Sequence, residues 1–273
     1  MSETLTPESQ PVPEKGVADI LVEAFHLYRQ HAKPLLLICA LLFVPAAIVN
    51  SLALSAILGP AQAIARAGDP AVLGSLNAYL LQVVGTLVTT FFLYGIIVPL
   101  TNGALTIAAG DRILGGRAEW REVWMLLFRR LGKLLSAVVP AAIVVTIGCV
   151  FFIVPGLVLA VLFTFVSPVV LIEGLGGRAA LERSTTLVRS DWLRVALLLV
   201  AFAIVRWVAQ LVASLLVAPT HIFVGSLIGD LCTMVLLPIP VLATVLLYFD
   251  VRRKRDNFTN DNLRADLEAL KGA

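Results

Sequence analysis

The side chains that could do chemistry in this chain are a few ionisable residues within long apolar runs. Arg206 and Asp230 have no charged neighbour close in sequence, and Glu173 closes a run without charge that begins after Lys133. A charge within hydrocarbon is costly, so such residues are candidates for an ion or substrate path. Arg206 and Asp230 can also form an ion pair between two adjacent spans. With one Arg and one Asp in the core, the sequence favours that structural pair.

Motifs of the common enzyme classes are missing from the sequence. The chain has no HExxH, no GxSxG, no Walker A loop and no GxGxxG. Its three histidines are predicted to fall on two sides of a membrane, and its three cysteines lie in apolar runs without metal-ligand spacing. The sequence therefore predicts a protein that is not an enzyme and has no cofactor and no metal site.

A second ion pair is predicted beside a short amphipathic helix. Arg183 lies next to the apolar stripe of that helix, not on the polar face with Arg178 and Arg189. A guanidinium in this position should turn back toward the protein. Glu173 is the nearest acceptor, because the glycine-rich loop 174–177 can bring the two side chains together.

Basic residues collect where predicted helices meet the cytoplasmic side of the membrane. Each such residue near the surface gains about 1 kcal/mol from anionic headgroups, although a plain topological anchor explains them equally well. Membrane phospholipids are thus the expected partners, with a protein as a second kind of partner and no nucleic acid. The candidate headgroup contacts are Arg129, Arg130, Lys133, Arg252, Arg253, Lys254 and Arg255.

The apolar runs indicate an integral membrane protein. Hydrophobic residues make up 59% of the 273 and charged residues 14%, more apolar surface than a soluble domain of this size can bury. A helix needs about 20 residues to cross a hydrocarbon core of about 30 Å. The runs predict six spans, at 34–58, 76–101, 134–152, 156–172, 193–219 and 222–249.

Prolines within these runs predict a turn and a kink. Pro155-Gly156 interrupts a run that is too long for one crossing and suits two, so the pair predicts the turn between the third and fourth spans. Pro45 predicts a kink in the first span.

The distribution of basic residues predicts the orientation. All but two of the 21 Lys and Arg residues fall on one side of a six-span arrangement, the exceptions being Arg66 and Arg206. The positive-inside rule then places both termini in the cytoplasm. The predicted location is the inner membrane of a bacterium, crossed several times.

Each pair of spans is preceded by an amphipathic segment, at 17–33, 120–134 and 178–190. The predicted fold is all-α, with six spans as three hairpins, each preceded by a cytoplasmic interface helix. A true threefold repeat and a shared preference at helix-to-span junctions explain this pattern equally well. The predicted parts are a disordered tail (1–16), the membrane domain (17–255) and a short C-terminal helix or tail (256–273).

Several motifs in order resemble one bacterial membrane family. It is the membrane domain found before the catalytic barrel of some glycerophosphoryl diester phosphodiesterases and in related proteins of unknown function. The resemblance implies a six-span inner-membrane protein over about residues 17–255. The sequence has no counterpart of the barrel, so it implies no hydrolase activity. The motifs are Ile20-Leu-Val-Glu-Ala-Phe-His-Leu-Tyr-Arg29, Pro155-Gly-Leu157, Ser167-Pro-Val-Val-Leu-Ile-Glu173-Gly174, Ala180-Leu-Glu-Arg-Ser184 and Leu247-Tyr-Phe-Asp250-Val-Arg252.

Two functions of different classes follow from the sequence. The first is a non-enzymatic membrane module, a scaffold or sensor in contact with phospholipid. The second is a small transporter or channel that uses Arg206 and Asp230. A transporter needs a polar path between its spans, whereas a scaffold should pack its last two spans tightly around a satisfied ion pair.

Overall fold

The computed structural model describes residues 16–67, 76–113, 116, 119–216 and 222–256, and these residues are almost entirely helical, without a strand. The predicted tails lie outside the described residues except for Gly16 and Asp256. The helices are α1 (Val17–Ala67), α2 (Leu76–Ile113), α3 (Trp120–Arg129), α4 (Leu131–Phe151), α5 (Ile153–Leu162), α6 (Val166–Pro168), α7 (Gly177–Ser190), α8 (Trp192–Leu216), α9 (Ile222–Leu236) and α10 (Pro238–Asp256), with a π-helical turn at Val169–Glu173.

The helices identify a membrane protein by length and composition. Within the described residues, four helical stretches are long and apolar enough to cross a membrane: Val17–Ala56, Leu131–Cys149, Ile153–Glu173 and Phe223–Asp256. Many large apolar side chains on these and neighbouring helices are exposed, as lipid-facing residues would be. This finding confirms the all-α class over the described residues, and the length and composition of the four stretches are those of membrane spans.

Helix α1 is bent at His31, where the backbone leaves helical geometry with φ −123° and ψ 26°. Pro34 explains the bend, because its ring lacks an N–H and clashes with the carbonyl oxygen of Gln30, four residues earlier. The bend lies near the end of the predicted interface helix 17–33, although the chain continues as one helix. At Pro45, where the sequence predicts a kink, the backbone keeps helical φ and ψ, and the kink stays a prediction.

The chain reverses between α4 and α5 at Phe152, whose backbone is extended with φ −149° and ψ 104°. The turn predicted at Pro155-Gly156 is therefore wrong in position. Pro155 lies in the first turn of α5, where a missing N–H leaves no helical hydrogen bond unmade. Gly156 packs α5 against α4, because a Cβ there would come within 2.4 Å of the backbone nitrogen of Cys149.

The tip of this hairpin is apolar and exposed. Phe151, Phe152, Ile153 and Val154 follow one another there, with 70% to 72% of each residue exposed. Two helices thus meet without a polar loop between them.

The amphipathic pattern predicted for α7 is confirmed. Its predicted polar residues Arg178, Glu182 and Arg189 are exposed. Ser184 Oγ donates a 2.8 Å hydrogen bond to the carbonyl oxygen of Leu162, at the end of α5. The apolar stripe thus packs on the protein itself. Its buried members are Ala180, Ser184, Leu187 and Val188.

The last predicted span is broken in the middle. Helix α9 ends at Leu236, and α10 begins at Pro238, which suits the first position of a helix because its missing N–H needs no partner there. Most side chains of α10 are buried, and Tyr248 is fully enclosed. The C-terminal part of α10 therefore lies in the hydrophobic core. The other elements that contribute to this core include the N-terminal part of α1, together with α2, α3, α7 and the π-helical turn.

Candidate functional site

Glu173 is the last residue of the π-helical turn, and a short loop joins it to the start of α7 at Gly177. The next residue, Gly174, has φ 73°, a left-handed conformation that only glycine adopts without strain. The loop can therefore reverse directly after the carboxylate. Glu173 itself is 11% exposed, so its charge needs partners in the protein.

Those partners come from α7 and α10. Arg183 Nε lies 2.9 Å from Glu173 Oε2, which is the ion pair that the sequence predicts. Tyr248 donates its hydroxyl to Glu173 Oε1 at 2.7 Å. Arg252 completes the set, with Nε 3.5 Å from the same Oε1 and Nη1 donating to the Tyr248 hydroxyl oxygen at 3.2 Å.

A second carboxylate balances the charge of this group. Asp256 accepts a hydrogen bond from Arg183 Nη2 and lies 3.7 Å from Arg252 Nε. Two carboxylates and two guanidiniums therefore face each other, and we call Glu173, Arg183, Tyr248, Arg252 and Asp256 the Glu173 cluster. Burial alone would lower the pKa of Arg183, but hydrogen bonds with Asp256 and Glu173 outweigh it and raise the pKa.

Another group of charges lies at the junction of α7 and α8. Arg194 Nη2 lies 2.7 Å from Asp250 Oδ2, and its Nη1 lies 3.3 Å from Asp191 Oδ1. Lys254 Nζ is 3.6 Å from the same Asp191 oxygen. This group, the Arg194 cluster, again pairs two acids with two bases. Both clusters bind the end of α10 to the rest of the molecule.

Residues at the corner between α3 and α4, and in the first turns of α4, form hydrogen bonds with the π-helical turn and the loop after it. Arg130 Nη1 donates to the carbonyl oxygen of Leu171 at 3.0 Å, and Lys133 Nζ donates to that of Gly174 at 3.1 Å. The backbone N–H of Gly177 donates to Ser136 Oγ at 3.1 Å. A helix end leaves carbonyl oxygens without helical partners, and these cations satisfy them.

The hydrogen bonds and ion pairs of the Glu173 cluster hold helices together. Both oxygens of Glu173 already accept hydrogen bonds, so the carboxylate is not poised to remove a proton from a substrate. Across the described ranges, no group of three or more His, Cys, Asp or Glu side chains could hold a metal ion.

The predicted pair of Arg206 with Asp230 is wrong. Among the residues the structure describes, no ion pair joins them, and Asp230 Oδ2 instead accepts a 3.1 Å hydrogen bond from Asn50 Nδ2 of α1. Arg206 lies in the stretch 203–208 of α8, where every residue is exposed. The long side chain of Arg206 can therefore extend along this exposed surface toward a polar boundary.

The basic residues at the end of α10 differ in burial. Arg252 is buried, so its predicted contact with lipid headgroups is wrong. Lys254 joins the Arg194 cluster, and Arg255 Nη1 donates to the carbonyl oxygen of Thr186. Arg253 and Arg129 are exposed, and headgroup contact remains a prediction for both.

Sequence reasoning missed the contribution of α10 to these clusters. Tyr248, Arg252 and Asp256 are spaced by four residues and therefore lie on one face of a helix. Asp250 and Lys254 repeat that spacing on another face. This pattern was the available signal, because a stripe of paired acids and bases at the end of an apolar helix indicates a protein contact.

One comparison with known proteins gives a match. Residues 123–251 match the model of a family described as a domain of unknown function, DUF7847. The matched region runs from α3 into α10 and includes Glu173 and Arg183. No curated protein and no solved structure matches the chain. The match carries no activity.

Proposed function

We propose that this chain is a non-enzymatic membrane module with six spans in a bacterial inner membrane. Its termini and the clusters at the end of α10 lie on the cytoplasmic side. The module acts as a scaffold at the phospholipid surface and presents a fixed cytoplasmic face to a protein partner. Membership of the phosphodiesterase membrane-domain family is part of the same proposal.

The observation that carries the proposal is the Glu173 cluster. Its hydrogen bonds and ion pairs join the π-helical turn, α7 and α10 in one arrangement. The charges balance within the cluster, so they hold the helices together and present no net charge to a substrate. A face held in this way suits a scaffold, whereas a transporter must rearrange its helices around a bound substrate.

Lipid contact is supported by the exposed cations around this face. Arg129, Lys133 and Arg253 are exposed, and on α3 Arg129 follows the apolar side chains Met125 and Phe128, which are 53% and 59% exposed. Exposed apolar groups next to basic residues suit the boundary between acyl chains and headgroups.

Topology is tested with single cysteines in a variant that lacks the natural three. A cysteine at Arg178 should react with an impermeant thiol reagent only after the membrane is opened. A cysteine at Arg66 should react in intact cells. Reaction of position 178 in intact cells would overturn the proposed orientation.

Lipid contact is tested by mass spectrometry of lipids retained by the protein purified in a mild detergent. We expect anionic phospholipid to be enriched over its share of the membrane. Joint replacement of Arg129, Lys133 and Arg253 by Gln should reduce the enrichment, while Arg178→Gln, a control on the polar face of α7, should leave it unchanged. Equal retention by both variants, or no enrichment at all, would contradict the proposal.

Transport or conduction remains the second candidate, now without Arg206. The observation that favours it is the hydrogen bond of Asp230 with the buried Asn50, a polar contact between two apolar helices. Intramembrane carboxylates of this kind mark ion and proton paths in other membrane proteins. An uptake assay in proteoliposomes with the Asp230→Asn variant distinguishes this candidate from the scaffold.

A further inference from the structure

Asp230 lies in an unusual environment at the contact between α1 and α9. Its carboxylate accepts a 3.1 Å hydrogen bond from the side-chain amide of Asn50. Asn50 is 4% exposed, so the amide orients the carboxylate from a buried position. Asp230 lies on α9, before the break at Leu237, whereas both charge clusters are formed with the end of α10.

Two buried oxygen atoms in the same turn of α1 have no hydrogen-bond partner among the described residues. They are Oδ1 of Asn50 and Oγ of Ser51, and Ser51 is fully buried. Buried polar atoms are nearly always satisfied in folded proteins, and exceptions commonly indicate a bound water or ion. The first belongs to the amide that binds Asp230 and the second to the next residue of α1, and two such exceptions in sequence point to a ligand.

The hydroxyl groups one turn away on α9 are already engaged. Ser226 Oγ donates to the carbonyl oxygen of Phe223 at 3.1 Å, and Thr233 Oγ1 donates to that of Gly229 at 2.9 Å. These bonds use the hydroxyl hydrogens within α9, whereas Asn50 Oδ1 and Ser51 Oγ have no hydrogen-bond partner among the described residues.

Charge decides what kind of ligand suits the position. No ion pair is formed by Asp230 within the described parts of the chain, although a lone carboxylate between apolar helices is costly. A hard monovalent cation neutralises one carboxylate and takes oxygen ligands from neutral amide and hydroxyl groups. A Ca²⁺ site draws on more oxygen ligands, typically with several carboxylates among them. Water alone would satisfy the oxygen atoms but leave the charge.

We propose that Asp230, Asn50 and Ser51 form a binding site for one alkali-metal cation, of which Na⁺ is the test case. Asp230 supplies the charge, and the orphan oxygens of Asn50 and Ser51 supply neutral ligands. Cation binding would then fasten α1 to α9. The site is independent of the scaffold function, so its failure would leave that proposal standing.

The experiment measures the melting temperature of the full chain in detergent as NaCl replaces choline chloride at constant ionic strength. We expect a saturable rise for the natural sequence, because a ligand that binds only the folded state stabilises it. Asp230→Asn should abolish the rise. Ser51→Ala should weaken the apparent affinity about tenfold or more, the scale of one hydrogen bond to a charged group.

The control is Glu182→Gln, which removes an exposed carboxylate that pairs with Arg178 at 2.6 Å. It should keep the full response to Na⁺. A rise with KCl in place of NaCl that disappears in Asp230→Asn also supports the site.

Equal melting temperatures in choline and in both alkali salts would overturn the proposal and leave water as the occupant. A response that persists in Asp230→Asn would overturn it as well. Should Asp230→Asn not fold, Ser51→Ala decides the matter: an unchanged apparent affinity for Na⁺ in that variant would refute the site.

Discussion

Replacement of Glu173 by Gln is the most direct test of the Glu173 cluster. The variant keeps the size of the side chain and removes its charge. Gln can still accept from the Tyr248 hydroxyl, but the negative charge opposite Arg183 and Arg252 is gone. Asp256 alone then faces two guanidiniums, so the cluster changes from neutral to a net positive charge. We expect the free energy of unfolding to fall substantially.

The magnitude follows from burial and from the kind of interaction that the substitution removes. Removing one partner of a buried ion pair costs about 3–5 kcal/mol, because the remaining charge loses its compensation. Glu173 is 11% exposed, whereas the side chain of Arg183 is 24% exposed and partly reaches water. Partial solvation of the remaining guanidinium lowers the expected cost to the bottom of that range, about 3 kcal/mol.

The matched control lies in the same part of the chain. Glu182 pairs with Arg178 at 2.6 Å, but their side chains are 64% and 90% exposed. Glu182→Gln should therefore lower the free energy of unfolding by no more than about 0.5 kcal/mol, as for other exposed pairs on a helix. The assay is denaturant unfolding in detergent micelles, followed by tryptophan fluorescence. Equal shifts for Glu173→Gln and Glu182→Gln would refute the structural role of the cluster.

Two further predictions concern the membrane helices. Gly156→Ala should destabilise the protein, since the added Cβ would collide with the backbone of α4. Gly132→Ala should be neutral or stabilising by up to about 1 kcal/mol, because no atom lies within 4 Å of the added Cβ. Thermal unfolding of both variants checks these opposite signs. Arg206→Gln should change the midpoint of unfolding little and add independently to Asp230→Asn, as expected for residues without contact. Strong coupling between these two changes in a double-mutant cycle would restore the rejected ion pair.

The sequence predicted the helical class and much of the local pattern, because these follow from periodicity. The buried stripe of α7 was placed correctly, since hydrophobic spacing of three and four residues directly reports a helix face. Arg183 was paired correctly for the same reason: its position beside the stripe left one direction for its side chain.

The errors concern contacts between segments that are distant in sequence. Pro155 and Gly156 suggested a turn by residue type alone, but Gly156 serves the close packing of α5 on α4. Arg206 and Asp230 were paired from their depth along two spans, which says nothing about rotation around each helix axis. Asn50 is 180 residues from Asp230, and no periodic pattern links two such positions.

The apolar tip of the α4–α5 hairpin has a consequence for how the chain enters a bilayer. A loop that must cross a membrane usually carries polar groups, and each adds a barrier to insertion. Phe151 to Val154 carry only hydrocarbon side chains, and most backbone groups on either side are satisfied within their helices. Such a tip lowers the cost of moving α4 and α5 across a bilayer as a hairpin, tip first. Arg130 and Lys133, at the opposite end of α4, are costly to bury in hydrocarbon, so they favour an arrangement in which that end stays at the polar boundary.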